Sequence, residues 1–259
     1  MVDKKGSLVV GSSMFALMIF GAPASASLSL SNTLGDGMVL QRAPARARIW
    51  GHANGEGAVP HIRVAVSAEE GSANFSIVAD VISGKWSAEL RPMPAGGPYA
   101  IRIYMDTELM ATLRDVHFGE VFLCSGQSNM VFALSQSYNS SQHIAAANDA
   151  RYHALRLFTA TPKWSTTPLS DLSSVEQPWT RASAGAVGNT TPFSFFSAVC
   201  WFAGKSLVDQ RVFGLTDHGT SVPVGLLVSA YGGSRVHEWS SPTALAKCNQ
   251  SVARGMGAR

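Results

Sequence analysis

The sequence predicts an α/β protein: an open parallel sheet covered by helices, preceded by a β-sandwich. Three observations lead there. Residues from about 28 to 115 carry short alternating apolar runs separated by turn clusters. Val121 to Cys124 is instead a continuous apolar run, as a strand covered on both faces requires, and it ends in a small polar turn at Ser128. Val224 to Val228 repeats that pattern and leads into Tyr231-Gly232-Gly233.

The elements can be justified in order. Ala47–Trp50, Ile62–Val66, Phe75–Val78, Lys85–Leu90 and Tyr99–Ile103 read as sandwich strands, broken by glycine- and proline-rich turns such as Pro94-Ala95-Gly96-Gly97-Pro98. Arg46, Arg48, Arg63 and Arg102 fall on its polar outer face. Such a sandwich serves either as a carbohydrate-binding module or as a packing partner for the α/β region. We place it at 27–116 and the α/β region at 117–259. In the latter, Ser128 to about Ala147 reads as helix with a break at Asn139-Ser140-Ser141. Ala154–Phe158 is the second strand, and Thr161–Pro178 a long polar loop. Phe195 to Val212 is an amphipathic helix with Phe195, Val199, Phe202 and Leu207 as its apolar stripe.

Residues 1–26 have the form of a secretory signal. Lys4 and Lys5 precede an apolar run from Leu8 to Ala22, and Ala24-Ser25-Ala26 offers a cleavage site. Export gives meaning to four glycosylation sequons, at Asn74, Asn139, Asn189 and Asn249. The expected destination is the lysosome or the exterior, with no membrane association once the signal is removed. Of three cysteines, Cys124 and Cys200 lie in apolar runs and read as buried thiols, while Cys248 is left over. No pattern of metal ligands occurs, and no cofactor is expected. The net charge of +3 comes from scattered residues, which gives no support for nucleic-acid binding.

A serine on a strand-to-helix turn is either a nucleophile raised to the carboxyl edge of the sheet or a helix cap. Met130 stands where a nucleophile elbow would have its second glycine, so the local pattern leaves both open. Both the Ser128 turn and the Gly232-Gly233 turn come after strands, and active sites of open α/β sheets form at that edge.

Ser125-Gly126-Gln127-Ser128-Asn129-Met130 resembles the first block of the SGNH (GDSL-like) hydrolases, in particular the sialate O-acetylesterase branch. Asp36–Gln41, Pro192-Phe193 with Cys200–Lys205, Pro223–Leu227 with Tyr231–Ser234, and Glu238–Ser241 resemble further blocks in the right order, from about Leu30 to Cys248. The resemblance implies a carboxylic ester hydrolase removing acetyl groups from sugars, sialic acid first among them. Related esterases acting on plant polysaccharides share the same serine block. It assigns Ser128 as nucleophile, with the amides of Ser128 and of Gly232 or Gly233 as oxyanion donors. Gln127, Asn129 and Arg235 are candidate substrate contacts, Arg235 for a sialic carboxylate. The family's later asparagine and its aspartate–histidine pair have no counterpart here, so the chain reads as C-terminally truncated and by itself inactive. Asp217-His218 and His237 are poor substitutes for that base. His143 and His153 read as solvated, and His52, His61 and His117 as belonging to the sandwich.

Overall fold

Between Arg48 and Asn54 every second residue, Ile49, Gly51 and Ala53, is buried, and the chain is extended accordingly. The computed structural model describes residues 27–54, 60–68, 73–188, 193 and 196–247. Residues 1–26, read above as a secretory signal, and Asn189, Phe195, Cys248 and Asn249 lie outside them. In chain order the strands are β1 (Ser27–Leu30), β2 (Val39–Gln41), β3 (Arg48–Asn54), β4 (Ile62–Ala68), β5 (Ala73–Val78) and β6 (Asp80–Ile82). Then come β7 (Lys85–Glu89), β8 (Gly96–Met105), β9 (Glu108–Gly126), β10 (Leu155–Ala160), β11 (Val175–Arg181) and β12 (Val224–Ala230). The helices are α1 (Ser128–Val131), α2 (Ser140–Ala146), α3 (Ala184–Val187), α4 (Ala198–Asp209) and α5 (Pro242–Lys247).

One sheet has the order β1-β3-β7-β6 and is antiparallel throughout. The other runs β11-β10-β12-β9-β8-β4-β5, with β2 alongside β9. Its centre is parallel: β10 pairs with β12, and β12 with β9. Strand β9 joins the two halves. Its first part pairs antiparallel with β8, and its last seven residues pair parallel with β12, from Glu120 opposite Val224 to Gly126 opposite Ala230. The division at 116 and 117 therefore falls inside one strand. Where β9 meets the start of β12 only glycine fits, because a Cβ on Gly119 would lie 1.9 Å from the Pro223 carbonyl oxygen.

The apolar residues sort into two cores. Ile49, Trp86 and Ala88 of the first sheet meet Val64, Ile101, Ile103 and Phe118 of the second, joined by Phe158 and Trp179 from β10 and β11. On the other side of β10 and β12, Leu155, Leu157, Leu226 and Val228 pack with Leu134, Phe196, Cys200 and Trp201. Strand β10 is thus covered on both faces, all six of its residues being buried, and β12 nearly so. The end of β9 is not covered as Val121–Cys124 led one to expect, since Phe122 and Leu123 are exposed.

Several expectations need correction. Cys124 and Cys200 are not free thiols. They form a disulfide across 76 residues that ties the end of β9 to α4. Apolar surroundings suit either state, and only the fold brings their Cα atoms to 5.9 Å, within bridging range. In the loop-entropy picture such a crosslink stabilises by about 4 kcal/mol. Part of the Thr161–Pro178 loop is strand, since β11 begins at Val175 and pairs antiparallel with β10. The helix expected from Ser128 ends after one turn, where Phe132 leaves helical geometry at ψ 117°. Asn139-Ser140-Ser141 starts α2 rather than breaking it, with Asn139 in the left-handed region at φ 53°. In α4 the buried face is Ala198, Cys200, Trp201 and Gly204, and Val199 is exposed. The helix starts only at Ala198, and the face bearing Gly204 is the one that packs on Leu226. Its cap is Ser197, whose Oγ accepts from the Cys200 amide at 3.2 Å.

Candidate active site at the carboxyl edge of the parallel sheet

Strands β9 and β12 run in register through Val228 opposite Cys124, Ser229 opposite Ser125 and Ala230 opposite Gly126, so they end at one level. Gly126 (φ 147°) turns the chain into Gln127 and α1. The Tyr231 amide donates to the Gly126 carbonyl at 2.9 Å and pins the second turn to the first. As a result a Cβ on Gly232 would lie 3.9 Å from the Ser128 Cβ, with nothing nearer. The sequence places these two turns at one edge, and the fold brings Ser128 and Gly232 side by side.

The Ser128 residue is half-buried, and its hydroxyl donates to Gln127 Oε1 at 2.8 Å. Among the described residues, the N–H groups of Ser128, Gly232 and Gly233 donate to no protein acceptor. Unpaired, partly open donors around a hydroxyl can receive a developing oxyanion. Because α1 is a single turn, these are separate amides and not the concerted end of a long helix. The second turn is braced: Ser234 Oγ donates to the Tyr231 carbonyl at 2.7 Å and accepts from Trp239 Nε1 at 2.9 Å. Asn129 is exposed. Arg235 is also exposed, and its amide donates to Glu238 Oε2 at 2.7 Å.

The histidines take other places. His237 is exposed in the 3-10 turn Val236–Trp239. Asp217-His218 lies before β12 begins, so the seven-residue strand holds it on the order of 20 Å from the serine edge. His143 is not simply solvated: it packs edge-on against Phe202, ring centroids 4.8 Å apart. Asn74 and Asn139 are both exposed.

A cluster that the sequence reading missed stands at the opposite, amino end of the same sheet. Arg156 of β10, with 5% of its side chain exposed, donates to Asp115 of β9 from Nη1 at 2.6 Å and from Nη2 at 3.2 Å. Its Nη2 also lies 2.8 Å from His117 Nε2, which is 2.8 Å from Asp115 Oδ1. Burial pushes the Asp115 carboxyl up, but hydrogen bonds from Arg156 and His117 outweigh it and hold it below its ordinary value. Burial lowers His117, and the charge of Arg156 adds to this against the pull of Asp115. The spacing Asp115-x-His117 was the available signal, but nothing in the sequence aimed Arg156 at it.

Among the described residues no group of three or more His, Cys, Asp or Glu is placed to hold a metal ion. No described helix is long and apolar enough to cross a membrane.

No family model matches the chain. It is 32% identical over 249 residues to the sialate O-acetylesterase of Homo sapiens, covering 93% of this chain and 44% of that protein. With the sialate O-acetylesterase of Mus musculus it is 36% identical over 219 residues, 82% of this chain and 37% of the relative. Its fold matches the crystal structure of a carbohydrate acetylesterase from Xanthomonas citri with a TM-score of 0.66 and 32% identity, over 85% of this chain and 44% of that one. By sequence along most of its length, with the serine edge included, the chain is a relative of the sialate O-acetylesterases and spans a little under half of theirs.

Proposed function

We propose that this chain carries the nucleophile-bearing part of an esterase that removes acetyl groups from acetylated carbohydrates, with Ser128 as the nucleophile. One observation carries the reading: Ser128 stands beside Gly232 at a shared strand edge, and the two turns there leave amides without acceptors. In the reaction, Oγ attacks the acetyl carbonyl, its proton passes to a base, and the carbonyl oxygen takes up charge facing the Ser128 and Gly232 or Gly233 amides. The sugar hydroxyl leaves, and water then releases acetate from the serine. The names of the relatives support the reaction class, and their acetylated sugar is the reading for this chain too.

The base is the open part. Ser128 Oγ donates to a carboxamide oxygen, which cannot take its proton. The described residues thus suit an oxyanion better than they suit proton transfer, and we read the chain alone as inactive. We keep 27–116 as an accessory β-region and 117–259 as the SGNH-type esterase region. A cleft of about 370 Å³ opens beyond the ends of β10 and β12, lined by Thr33, Trp50, Lys163, Asp171 and Ser229 but not by Ser128 or Gly232, and it has an aromatic face and polar groups that suit a sugar. Arg235 beside the second turn is the cation that favours an acidic sugar such as sialic acid, since Lys163 in the cleft is offset by Asp171. The disulfide, the sequons and residues 1–26 together favour an exported, oxidising location.

Release of acetate from O-acetylated sialic acid and from acetylated xylan tests this, using the chain and a form extended to the relatives' length. Turnover is expected in the extended form only, with sialic acid preferred, and to be lost in Ser128→Ala. Turnover that survives Ser128→Ala removes the nucleophile assignment. Equal turnover by the two forms removes the reading of inactivity.

A further inference from the structure

At the amino end of the parallel sheet, away from Ser128, a second cavity of about 350 Å³ opens between the β-region and the α/β region. Its lining is chemically one-sided. Arg151, Arg156, Arg181, His117 and His153 face it together with two hydroxyl side chains, and no aspartate or glutamate lines it.

We propose that this cavity binds a small molecule through a phosphate or sulfate group. Arg156 forms its floor and is nearly buried, and its contacts with Asp115 and His117 occupy at most three of its five N–H groups. Among the described residues the others meet no acceptor, and a buried donor without one costs free energy that a bound oxyanion offsets. Arg181, at the end of β11, is exposed and makes no ion pair among the described residues. Arg151 is turned partly away, held by Asp149 at 2.9 Å and by Asp209 at 4.0 Å. Asp115 balances Arg156, so the charge left over for a ligand is that of Arg181. Planar guanidinium groups from separate elements can there share one tetrahedral anion. The wall is shaped as well as charged: a Cβ on Gly97, at φ 142°, would lie 2.7 Å from His117 Nδ1. The volume exceeds that of a bare oxyanion and leaves room for the group that bears it.

A cluster serving only to staple β9 to β10 would not bind phosphate through Arg181, which lies opposite Arg156 across the strand pair but makes no side-chain hydrogen bond to the cluster. The test is calorimetric titration of the full chain with inorganic phosphate at constant ionic strength. Saturable binding at one site is expected. It should weaken about tenfold or more in Arg181→Gln, the loss of one charge-assisted hydrogen bond, and stay unchanged in Arg48→Gln on the distant antiparallel sheet. Arg156→Lys keeps the charge but loses the fork, and is expected to weaken phosphate binding while the circular dichroism spectrum stays native. Sodium acetate is expected to bind about tenfold more weakly than phosphate, because it offers fewer acceptor oxygens. Absence of saturation, equal loss in Arg181→Gln and Arg48→Gln, unchanged affinity in Arg181→Gln, or acetate binding as tight as phosphate would each overturn the assignment.

Discussion

At the carboxyl end of the parallel sheet, Ser128 and Gly232 are partly open to solvent, carry no charge between them and rest on main-chain geometry. At the amino end Arg156, Asp115 and His117 are charged or titratable, largely withdrawn from water, and rest on side-chain hydrogen bonds. The same strand, β9, carries Asp115 and His117 at the one end and leads into the Ser128 turn at the other. A site that must admit a substrate and water keeps its donors unpaired and its backbone exposed. A cluster that joins two regions pairs its charges, because burying an unpaired one would cost several kcal/mol.

The sharpest break between the ends is a serine that matters to chemistry and hardly at all to stability. In the extended form, Ser128→Ala is expected to reduce acetate release at least about a thousandfold, while the melting temperature stays within the range of a surface substitution. Steady-state kinetics and a thermal melt on one preparation read both. Next in size is the crosslink behind the serine turn. Cys200→Ser is expected to lower stability by about 2 to 4 kcal/mol, measured by urea unfolding against the oxidised protein. If stability does not change, the disulfide does not hold β9 to α4 in solution.

At the amino end the expected effects fall on stability instead. Arg156→Met strands the Asp115 carboxylate and should cost about 3 kcal/mol in the same urea measurement, at the low end for a broken buried pair because Asp115 keeps a third of its side chain in water. The smallest effect is on pH. His117 titrates below its ordinary 6.5 when folded, so on acidification the unfolded chain binds the extra proton first. Stability should therefore fall as pH drops from about 7 through the folded value, then level off. Thermal melts across that range check this, and His117→Gln should flatten the step. Asp115, also lowered, adds a second loss only as pH falls below its ordinary 3.8. The groups around His117 are Asp115 on its own strand, Arg156 on β10 and Arg181 on β11.

Much of the fold is legible in periodicity. Five of the strands before residue 106 fall within a few residues of their expected places, since alternation is imposed locally by a half-buried pleat. The apolar runs at Val121 and Val224 mark two central strands, and the turns after them mark the serine edge. Less legible are segments whose local signal conflicts with their setting. Val175–Arg181 contains Pro178 and reads as loop, yet it is held as an edge strand, where proline is tolerated. In α4 the buried face depends on which side meets Leu226, which no count along the helix could supply.

The sequence by itself determined the alternation of the β-region, the two glycine-bordered turns and the serine between strand and helix, because each is set by a few neighbouring residues. Only the tertiary structure decided that Cys124 bonds Cys200, that β9 serves both regions as one strand, and that Arg156 reaches Asp115 and His117. Those pairings span tens of residues, and their energy depends on distance in space, which the order of residues along the chain does not record.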